Sequence, residues 1–333
     1  MKASERINAF HNLGVKLNEM PDSEFQSLAL SAKYKNPWFT EENVRMSVRG
    51  IISWLDAKQL SGWSSDYNLE TPQKTIAVVM AGNIPLVGFH DFLTILISGH
   101  NILIKRSSKD EVLLNQIVEM LIAVEPRFKT RIEYGEQLKG FDAIIATGSD
   151  NTARYFEYYF SKYPHIIRKN RTSVAVLDGS ESDDQLAALG VDIFSYFGLG
   201  CRNISKVYLP DGYTPGKMLS RFDAFKEIIH HHKYCNNYDY QKSILLVTQS
   251  PFLDNGFVML QENKNLFSPL AVVYYEFYED DGNLAMALES YRNKIQCVVS
   301  NRKGDLNFGQ AQFPGLGDYA DQIDTLKFVT TLS

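Results

Sequence analysis

The segment from residue 73 to residue 197 alternates short β-branched runs with amphipathic stretches, and this alternation leaves few folds open to the chain. The runs predict strands at 75–81, 101–105, 142–147 and 173–177, and each is followed by a segment with helical spacing of its apolar residues. Strands that alternate with helices form a parallel sheet covered on both faces. Such sheets bind ligands at the carboxyl ends of their strands. We therefore predict an α/β fold with a ligand site at that edge.

The flanking segments extend this organisation. Residues 1–72 predict helices, because apolar side chains such as Phe10, Leu13 and Leu17 recur at helical spacing. After Gly200 the alternation becomes less regular and predicts a second α/β lobe. Its expected strands lie at 206–209, 243–247, 271–277 and 295–300, with helices at 216–231 and 284–293 and a strand-like end at 327–331.

Composition excludes several classes of partner. The chain has 34 basic and 39 acidic side chains, which gives a net charge of −5 and no overall positive field for nucleic acid. No run of apolar residues is long enough to span a membrane, and the N-terminus lacks the apolar core of a signal peptide. Three cysteines without CxxC spacing argue against a disulfide framework. A cytoplasmic protein is expected.

The strongest local signal is Cys201, which follows Gly198 and Gly200 where a predicted helix ends. Glycines let the backbone approach a ligand closely, and a thiol beside Arg202 can act as a nucleophile. Equal weight goes to the alternative that Cys201 is a small buried residue of the hydrophobic core.

The sequence assigns no chemical role to the other two cysteines or to the run of three histidines. Cys297 lies in an apolar strand pattern and is assigned to the core, and Cys235 lies in a polar loop and is assigned no role. The run His230–His232 is expected at a solvated helix end, where consecutive side chains point about 100° apart and cannot chelate together. No metal site is expected.

Three strand ends carry further candidate residues. Asn83 follows the first strand and offers an amide donor, or it belongs to an ordinary turn. Lys105 and Ser108 follow the second strand and suit a phosphate, or they are solvated. Gly148 and Ser149 follow a later strand and suit a diphosphate at a helix N-terminus, or they cap that helix.

The order of these motifs resembles the aldehyde dehydrogenase superfamily over roughly residues 73–300. That family has an Asn-containing turn, a Lys-containing strand end, a Thr-Gly-Ser turn like that ending in Ser149, and then a cysteine after a glycine. Phe267-Ser268-Pro269-Leu270 stands where the family has Phe-Gly-Pro. Members that make acids also have a glutamate base before the catalytic cysteine. The matching stretch here, residues 158–177, contains no Asp or Glu. This departure resembles the LuxC-like acyl-CoA reductases related to fatty acid reductase.

The resemblance implies a fold of two α/β lobes with parallel sheets, one of them a Rossmann-like cofactor lobe. It implies a helical segment over 1–72 that packs on the cofactor lobe. It further implies a nicotinamide-binding domain over 73–197, a catalytic domain over 198–310 and a tail over 311–333. The implied reaction is NADPH-dependent reduction of an acyl-CoA, with a fatty acyl group favoured by the apolar residues near Leu86 and Phe89, through a Cys201 thioester.

The resemblance also implies a role for each site residue. Asn83 is the oxyanion donor, Lys105 and Ser108 hold the adenosine ribose and its phosphate, and Gly148 and Ser149 hold the diphosphate. NADH stays open as the cofactor. An acyl-phosphate reductase, a non-catalytic nucleotide- or partner-binding relative and a cysteine acyltransferase remain as alternatives. A homo-oligomer and an acyl-transferring partner protein also stay open.

Overall fold

The structure is a computed structural model that describes residues 1–332. The chain forms two compact units: residues 1–170 with the C-terminal segment from Pro314, and residues 171–313. Each unit has a sheet and a hydrophobic core of its own. The prediction of two α/β lobes with parallel sheets is therefore confirmed.

Four helices precede the first strand, in the segment that the sequence predicts to be helical. The apolar positions Phe10, Leu13 and Leu17 all lie in the core of the first unit. The third helix starts where Thr40 Oγ1 accepts the Asn43 N–H, which satisfies one of the free donors at a helix N-terminus. The helices are α1 (Ala3–Asn18), α2 (Asp22–Lys35), α3 (Glu41–Trp54) and α4 (Ala57–Ser64).

The first unit contains a five-stranded sheet in which every neighbouring pair is parallel. Its strands are β1 (Thr75–Val79), β2 (Asn101–Lys105), β3 (Ile132–Tyr134), β4 (Ala143–Thr147) and β5 (His165–Arg168), in the order β3-β2-β1-β4-β5. The intervening helices are α5 (Phe89–Ile97), α6 (Glu111–Val124) and α7 (Asp150–Phe160). All five carboxyl ends therefore meet at one edge.

The second unit contains a six-stranded sheet, parallel except for its last pair. Its order is β11-β6-β7-β10-β9-β8. The strands are β6 (Thr172–Val176), β7 (Ile204–Pro210), β8 (Leu253–Asp254), β9 (Met259–Glu262), β10 (Val272–Tyr278) and β11 (Ile295–Val299). The helices are α8 (Asp183–Phe194), α9 (Pro215–Leu219), α10 (His232–Val247) and α11 (Asp281–Ser290).

The two units divide the chain differently from the domains that the sequence analysis proposed. The boundary falls at residue 170 rather than 197, because β6 pairs with β7 and β11 of the second sheet and α8 packs beside β7. The C-terminal helix α12 (Thr325–Thr330) packs against α5, so the tail belongs to the first unit. Sequence spacing could not reveal these long-range pairings.

Three element predictions are wrong. Residues 243–247 form the end of α10 rather than a strand, and residues 327–331 lie largely in α12, whose start is capped by Asp324. The single helix expected over 216–231 is instead the short α9 followed by a 3₁₀ segment at Asp223–His230. Short apolar runs fit a strand and a helix equally well, so the tertiary environment decides between them.

The helices are also short. The longest in the described part of the chain, α1 and α10, have 16 residues each. At 1.5 Å per residue such a helix falls short of the ~30 Å hydrocarbon core of a bilayer. No helix within residues 1–332 is long and apolar enough to cross a membrane.

Candidate functional site

The carboxyl edge of the first sheet carries all the candidate cofactor residues. Asn83 follows β1, Lys105 ends β2, and Ser108 lies just beyond it, while Gly148 and Ser149 follow β4. Since every strand pair is parallel, these residues share one edge. The placement that the sequence analysis expected is thus the placement observed, and their roles stay predictions.

The loop that follows β2 carries three cations that form no ion pair within residues 1–332. Lys105 and Lys109 are exposed, whereas the Arg106 guanidinium is half-buried. Arg106 donates to Asn115 Oδ1 (2.9 Å) and stacks over the Tyr134 ring at 4.3 Å from its centroid. A cation held in place without a carboxylate beside it is suited to an incoming anion.

The turn after β1 packs closely against this loop. A Cβ atom added to Gly82 would lie 2.4 Å from Ser107 Oγ, so only glycine fits. The neighbouring Asn83 side chain is exposed. The β1 and β2 ends are therefore held together at the point where both candidate functions, oxyanion donor and phosphate binding, were expected.

The turn after β4 acts at least as a helix cap. Ser149 Oγ accepts the Thr152 N–H at the start of α7 (3.3 Å), and the Gly148 N–H bonds to the Arg168 carbonyl. A Cβ on Gly148 would lie 3.0 Å from the Thr152 and Phe156 side chains, tighter than most real contacts. The cap that the sequence analysis left as an alternative is present, and the Gly148 N–H is already engaged by the Arg168 carbonyl.

The stretch in which acid-forming relatives have their glutamate contains a buried arginine. Arg168, at the end of β5, forms a bidentate ion pair with Asp91 of α5 (2.5 and 2.8 Å) and donates to Thr325 Oγ1 (3.0 Å). Both members of the pair are about 7% exposed. Both carboxylate oxygens of Asp91 are therefore occupied by the guanidinium.

Three of the four apolar residues that favoured a fatty acyl group are core residues, and the fourth, Val87, is half-buried. Leu86, Phe89 and Phe92 are at most 5% exposed and belong to the core of the first unit. They fill space against neighbouring helices and carry no information about acyl chain length. The expectation of a fatty acyl substrate loses this support.

In the second unit, Cys201 follows an unusual left-handed turn. Tyr196 and Phe197 have φ values of 53° and 59°, and Gly198 has 79°. Two consecutive non-glycine residues in this region cost about 1–3 kcal/mol each and persist only when the surroundings impose them. The turn ends α8 abruptly and places the half-buried Cys201 thiol at the start of β7.

Asn203 holds this loop. Its Nδ2 donates to the carbonyls of Asp192, Ile193 and Ser195 at the end of α8, and its Oδ1 accepts the Gly200 N–H (2.8 Å). Asn203 is 2% exposed. One buried amide thus satisfies the carbonyl groups at the end of α8 and the Gly200 N–H directly before Cys201. The sequence analysis did not identify Asn203 as a site residue.

A second brace comes from residues 309–312. The fully buried Asp192 accepts the N–H groups of Gly309 and Ala311, and burial raises its pKa to about 6. Arg202 Nε donates to the Ala311 carbonyl (2.6 Å), and Gln312 donates to the Arg202 carbonyl (3.0 Å). Arg202 therefore serves to anchor the Cys201 loop.

Ser173 connects two of the three cysteines. Its Oγ donates to the Cys201 carbonyl (3.1 Å), accepts the Cys297 N–H (3.2 Å) and lies 3.0 Å from Cys297 Sγ. Cys297 packs against the core of the second unit, as expected, but its thiol also belongs to this network. Nothing in the sequence signalled this pairing, because it depends on β11 and β7 flanking β6.

A small cavity lies behind the loop. It has a volume of about 40 Å³, and its lining includes Phe197, Gly198, Asn203, Pro269 and Leu270. Pro269 and Leu270 belong to the segment that stands where the related family has Phe-Gly-Pro. A space of this size holds water rather than an acyl chain.

The remaining candidates, Cys235 and the histidine run, differ from expectation, and the centroid of the His231 ring lies 4.3 Å from that of the Phe197 ring of the left-handed turn. Cys235 is on α10 rather than in a polar loop, and burial together with Asp239 raises the pKa of its thiol. The histidines do not occupy consecutive positions of one helix. His230 ends the 3₁₀ segment, His231 stands at the N-cap position of α10 without a side-chain capping bond, and His232 begins α10. Among the residues described, no cluster of three or more His, Cys, Asp or Glu side chains is arranged to hold a metal ion.

Comparison with known proteins agrees with this architecture. Among solved structures, the chain is similar to aldehyde dehydrogenase 21 from Physcomitrella patens (13% identity, TM-score 0.65, 98% of this chain and 79% of that one). It is also similar to an NAD-dependent benzaldehyde dehydrogenase from Corynebacterium glutamicum (12% identity, TM-score 0.66, 91% and 77%). At these identities the likeness establishes the fold, which is that of aldehyde dehydrogenases.

Sequence comparison is more specific. A curated protein, the long-chain acyl-protein thioester reductase of Aliivibrio fischeri, is 23% identical over 239 residues, which cover 66% of this chain. The chain spans about half of that relative, 48% of its length. The sequence profile described as acyl-CoA reductase (LuxC) matches residues 52–224, more than half of the chain. The chain belongs to the acyl-CoA reductase (LuxC) family.

Proposed function

We propose that this protein reduces an activated acyl group to an aldehyde, with Cys201 as the nucleophile and NADPH as the hydride donor. The observation that carries the proposal is the Cys201 loop, where a strained left-handed turn, Asn203 and Ser173 hold a half-buried thiol in place. Strain of this kind concentrates at functional sites. A cysteine that served only as core packing needs no such support.

The chemistry proceeds in two balanced steps. The Cys201 thiolate attacks the carbonyl carbon of the acyl donor, a carbon–sulfur bond forms, and the donor's thiolate leaves and takes a proton. A nicotinamide, when bound, would supply the hydride that reduces the resulting thioester. The tetrahedral adduct then expels the Cys201 thiolate and releases the aldehyde. Asn83 is the proposed side-chain donor to the developing oxyanion, and the Cys201 N–H is the proposed backbone donor.

The loop after β2 suits the phosphate of NADPH. Lys105, Arg106 and Lys109 carry positive charge without a carboxylate partner in the described chain, and Ser108 presents an exposed hydroxyl. A hydroxyl donates to a phosphate oxygen, whereas a carboxylate at the same position repels it. Gly148 and Ser149 are proposed for the diphosphate because they stand at the N-terminus of α7, where backbone N–H groups bind such anions. The Gly148 N–H itself is bonded to the Arg168 carbonyl, so the proposed donors are the N–H groups that begin α7.

The acyl donor is proposed from the family and from the relative. The profile description names acyl-CoA, and the Aliivibrio fischeri relative is named for a long-chain acyl-protein thioester. We propose acyl-CoA as the donor and a long-chain acyl-protein thioester as the second candidate. Both are thioesters, so the same nucleophile and the same leaving-group chemistry apply.

The test follows the absorbance of NADPH during incubation with acyl-CoAs of increasing chain length. We expect oxidation of NADPH that is matched by stoichiometric release of free CoA and aldehyde. An acyl phosphate and an acylated carrier protein serve as alternative donors in parallel reactions. The proposal fails if no acyl donor of any class leads to NADPH oxidation, or if acyl transfer proceeds equally well without NADPH.

Exchanging Ser108 for glutamate should shift cofactor preference from NADPH toward NADH. The carboxylate repels the 2′-phosphate of NADPH and can accept hydrogen bonds from the ribose hydroxyls of NADH. We expect a change of about tenfold or more in the ratio of kcat/KM values, equivalent to ~1.4 kcal/mol. Ser108→Ala is the matched control, which removes the hydroxyl without adding charge. Equal kcat/KM with both cofactors in the unaltered protein would show that Ser108 does not bind the phosphate.

A further inference from the structure

The turn that carries Asn83 is fastened at three points in the first unit. Asn36 Nδ2 donates to the Gly82 carbonyl (3.4 Å), and Ser47 Oγ donates to the Pro85 carbonyl (2.7 Å). The third bond runs from the Leu86 N–H to Asp110 Oδ2 and is the shortest of the three, at 2.6 Å. The two neutral groups come from the N-terminal helical segment, whereas Asp110 comes from the end of the β2–α6 loop.

The residue that Asp110 holds is strained. Leu86 has a φ of 55°, which a branched side chain adopts at a cost of about 1–3 kcal/mol. It is also buried, so its backbone N–H has no access to water. The hydrogen bond to Asp110 therefore fixes a conformation that the chain would otherwise leave.

Asp110 is not an ordinary helix cap. It precedes α6 at the N-cap position, yet its side chain accepts no hydrogen bond from that helix. The carboxyl group is 8% exposed, and its second oxygen, Oδ1, is buried without a hydrogen-bond partner within residues 1–332. Burying a carboxyl group that neither caps its helix nor pairs with a cation costs free energy. The hydrogen bond between Asp110 and the Leu86 N–H therefore calls for a functional explanation.

We propose that Asp110 is a positioning residue for the reaction, holding the 82–88 turn and with it Asn83 in the conformation that supports the oxyanion. This inference rests on the proposed function of Asn83. Asp110 itself touches neither substrate nor cofactor. It acts through the backbone of Leu86, three residues after Asn83.

The charge state of Asp110 follows from its surroundings. Burial raises its pKa to about 8, opposed only by the Leu86 N–H. The 82–88 turn that packs on it has no titratable side chain. The charged groups beside it in the chain are the exposed Lys109 and the half-buried Glu111, and Glu111 is paired with Lys35 of α2 (3.2 Å). The neutral carboxyl therefore holds the turn at neutral pH. Ionisation at alkaline pH strengthens its bond to the Leu86 N–H but leaves a buried charge that no cation balances, which favours conformations in which the turn opens to water.

The test measures the rate of Cys201 acylation by acyl-CoA, without NADPH, between about pH 6 and about pH 10. Asp110→Asn keeps the shape and the acceptor oxygen without the charge, so its rate at pH 7 should equal that of the unaltered protein. The acylation rate of the unaltered protein, divided by that of Asp110→Asn, should fall as the pH rises through about 8. Asp110→Ala loses the acceptor, and its rate should drop roughly 10- to 100-fold.

Two controls separate positioning from general support of the fold. Ser47→Ala removes another bond to the same turn but no titratable group, so any loss it causes should be independent of pH. In an Asn83→Ala background, Asp110→Ala should add little further loss, because both changes act through one group. A pH-independent ratio for Asp110→Asn, or full additivity with Asn83→Ala, would overturn the proposal.

Thermal unfolding gives a readout that does not depend on activity. A carboxyl whose pKa is raised in the folded state takes up a proton on folding, so it lowers stability progressively as pH rises from about 4 toward about 8. The Tm of Asp110→Asn should therefore rise relative to the unaltered protein across this window and stay parallel above it. If neither acyl-CoA nor an acyl phosphate nor an acylated carrier protein acylates the unaltered protein, the proposed function fails; if Asn83→Ala slows acylation and Asp110→Ala does not, only the positioning role fails.

Discussion

Replacing Cys201 with alanine should abolish acyl-enzyme formation and NADPH-dependent turnover. The Cys201 thiol, which the Asn203 and Ser173 bonds hold in place, is the proposed nucleophile, and alanine leaves the loop without a group that can accept an acyl chain. The measurement is intact-protein and peptide mass spectrometry after incubation with acyl-CoA and no NADPH. We expect one acyl adduct per chain on the unaltered protein, mapped to Cys201, and none on Cys201→Ala.

The other two cysteines provide the controls. Cys235→Ala should leave acylation unchanged, since its thiol lies on α10 with a raised pKa. Cys297→Ala should still acylate at Cys201, because alanine fills most of the same core position and Ser173 keeps its bond to the Cys201 carbonyl. An adduct that maps to Cys235 or Cys297 in the unaltered protein would remove Cys201 from its assigned role.

The acyl-enzyme should persist in water when NADPH is withheld. Residues 158–177 contain no carboxylate, and Asp91, which reaches this stretch, has both oxygens engaged by Arg168. A general base accelerates the attack of water by ~10²–10⁴-fold, and hydrolysis of the thioester proceeds here without that acceleration. Isolated acyl-enzyme should therefore release little free acid over a period in which added NADPH releases aldehyde from nearly all of it. The enzyme should accordingly oxidise aldehydes to acids poorly.

Hydroxylamine supplies the control for this prediction, because it attacks thioesters without needing a base. It should discharge the acyl-enzyme as a hydroxamate, which shows that the thioester is intact and accessible. Release of free acid at a rate comparable to aldehyde release would mean that another group serves as the base. The preference for reduction would then lose its main support.

Local sequence information was sufficient for the elements that determine the fold class. The strands β1, β2, β4 and β6 and the helices between them were expected within a few residues, because buried β-branched runs and amphipathic stretches have distinct periods. The edge strands β3 and β5 were missed. They are short and half exposed, so their sequences lack a continuous apolar run. The strand expected at 243–247 shows the opposite failure, because an apolar run became the exposed end of α10.

The residues of the candidate site also fall into those that local sequence identifies and those that it does not. Cys201, Asn83, Lys105 and Ser108 could be named from glycine-flanked loops and strand ends, where residue type and local spacing carry the signal. Ser173, Asn203, Asp192 and Asp110 could not, because each matters through hydrogen bonds formed with distant or differently oriented backbone. The sequence analysis noted Arg168 only as a member of a stretch without acidic residues. It did not predict the ion pair, because the partner Asp91 lies 77 positions earlier in the chain.

The sequence by itself determined the α/β class and the parallel sheet edge and identified Cys201 as a candidate nucleophile, since these follow from periodicity and from residues close together in the chain. Only the tertiary structure decided where the units divide, how the Cys201 loop is braced and why Asp110 is buried. The physical reason is that burial and hydrogen bonding depend on which strands and helices become neighbours. Register and packing between segments far apart in sequence set those contacts, and no local pattern records them.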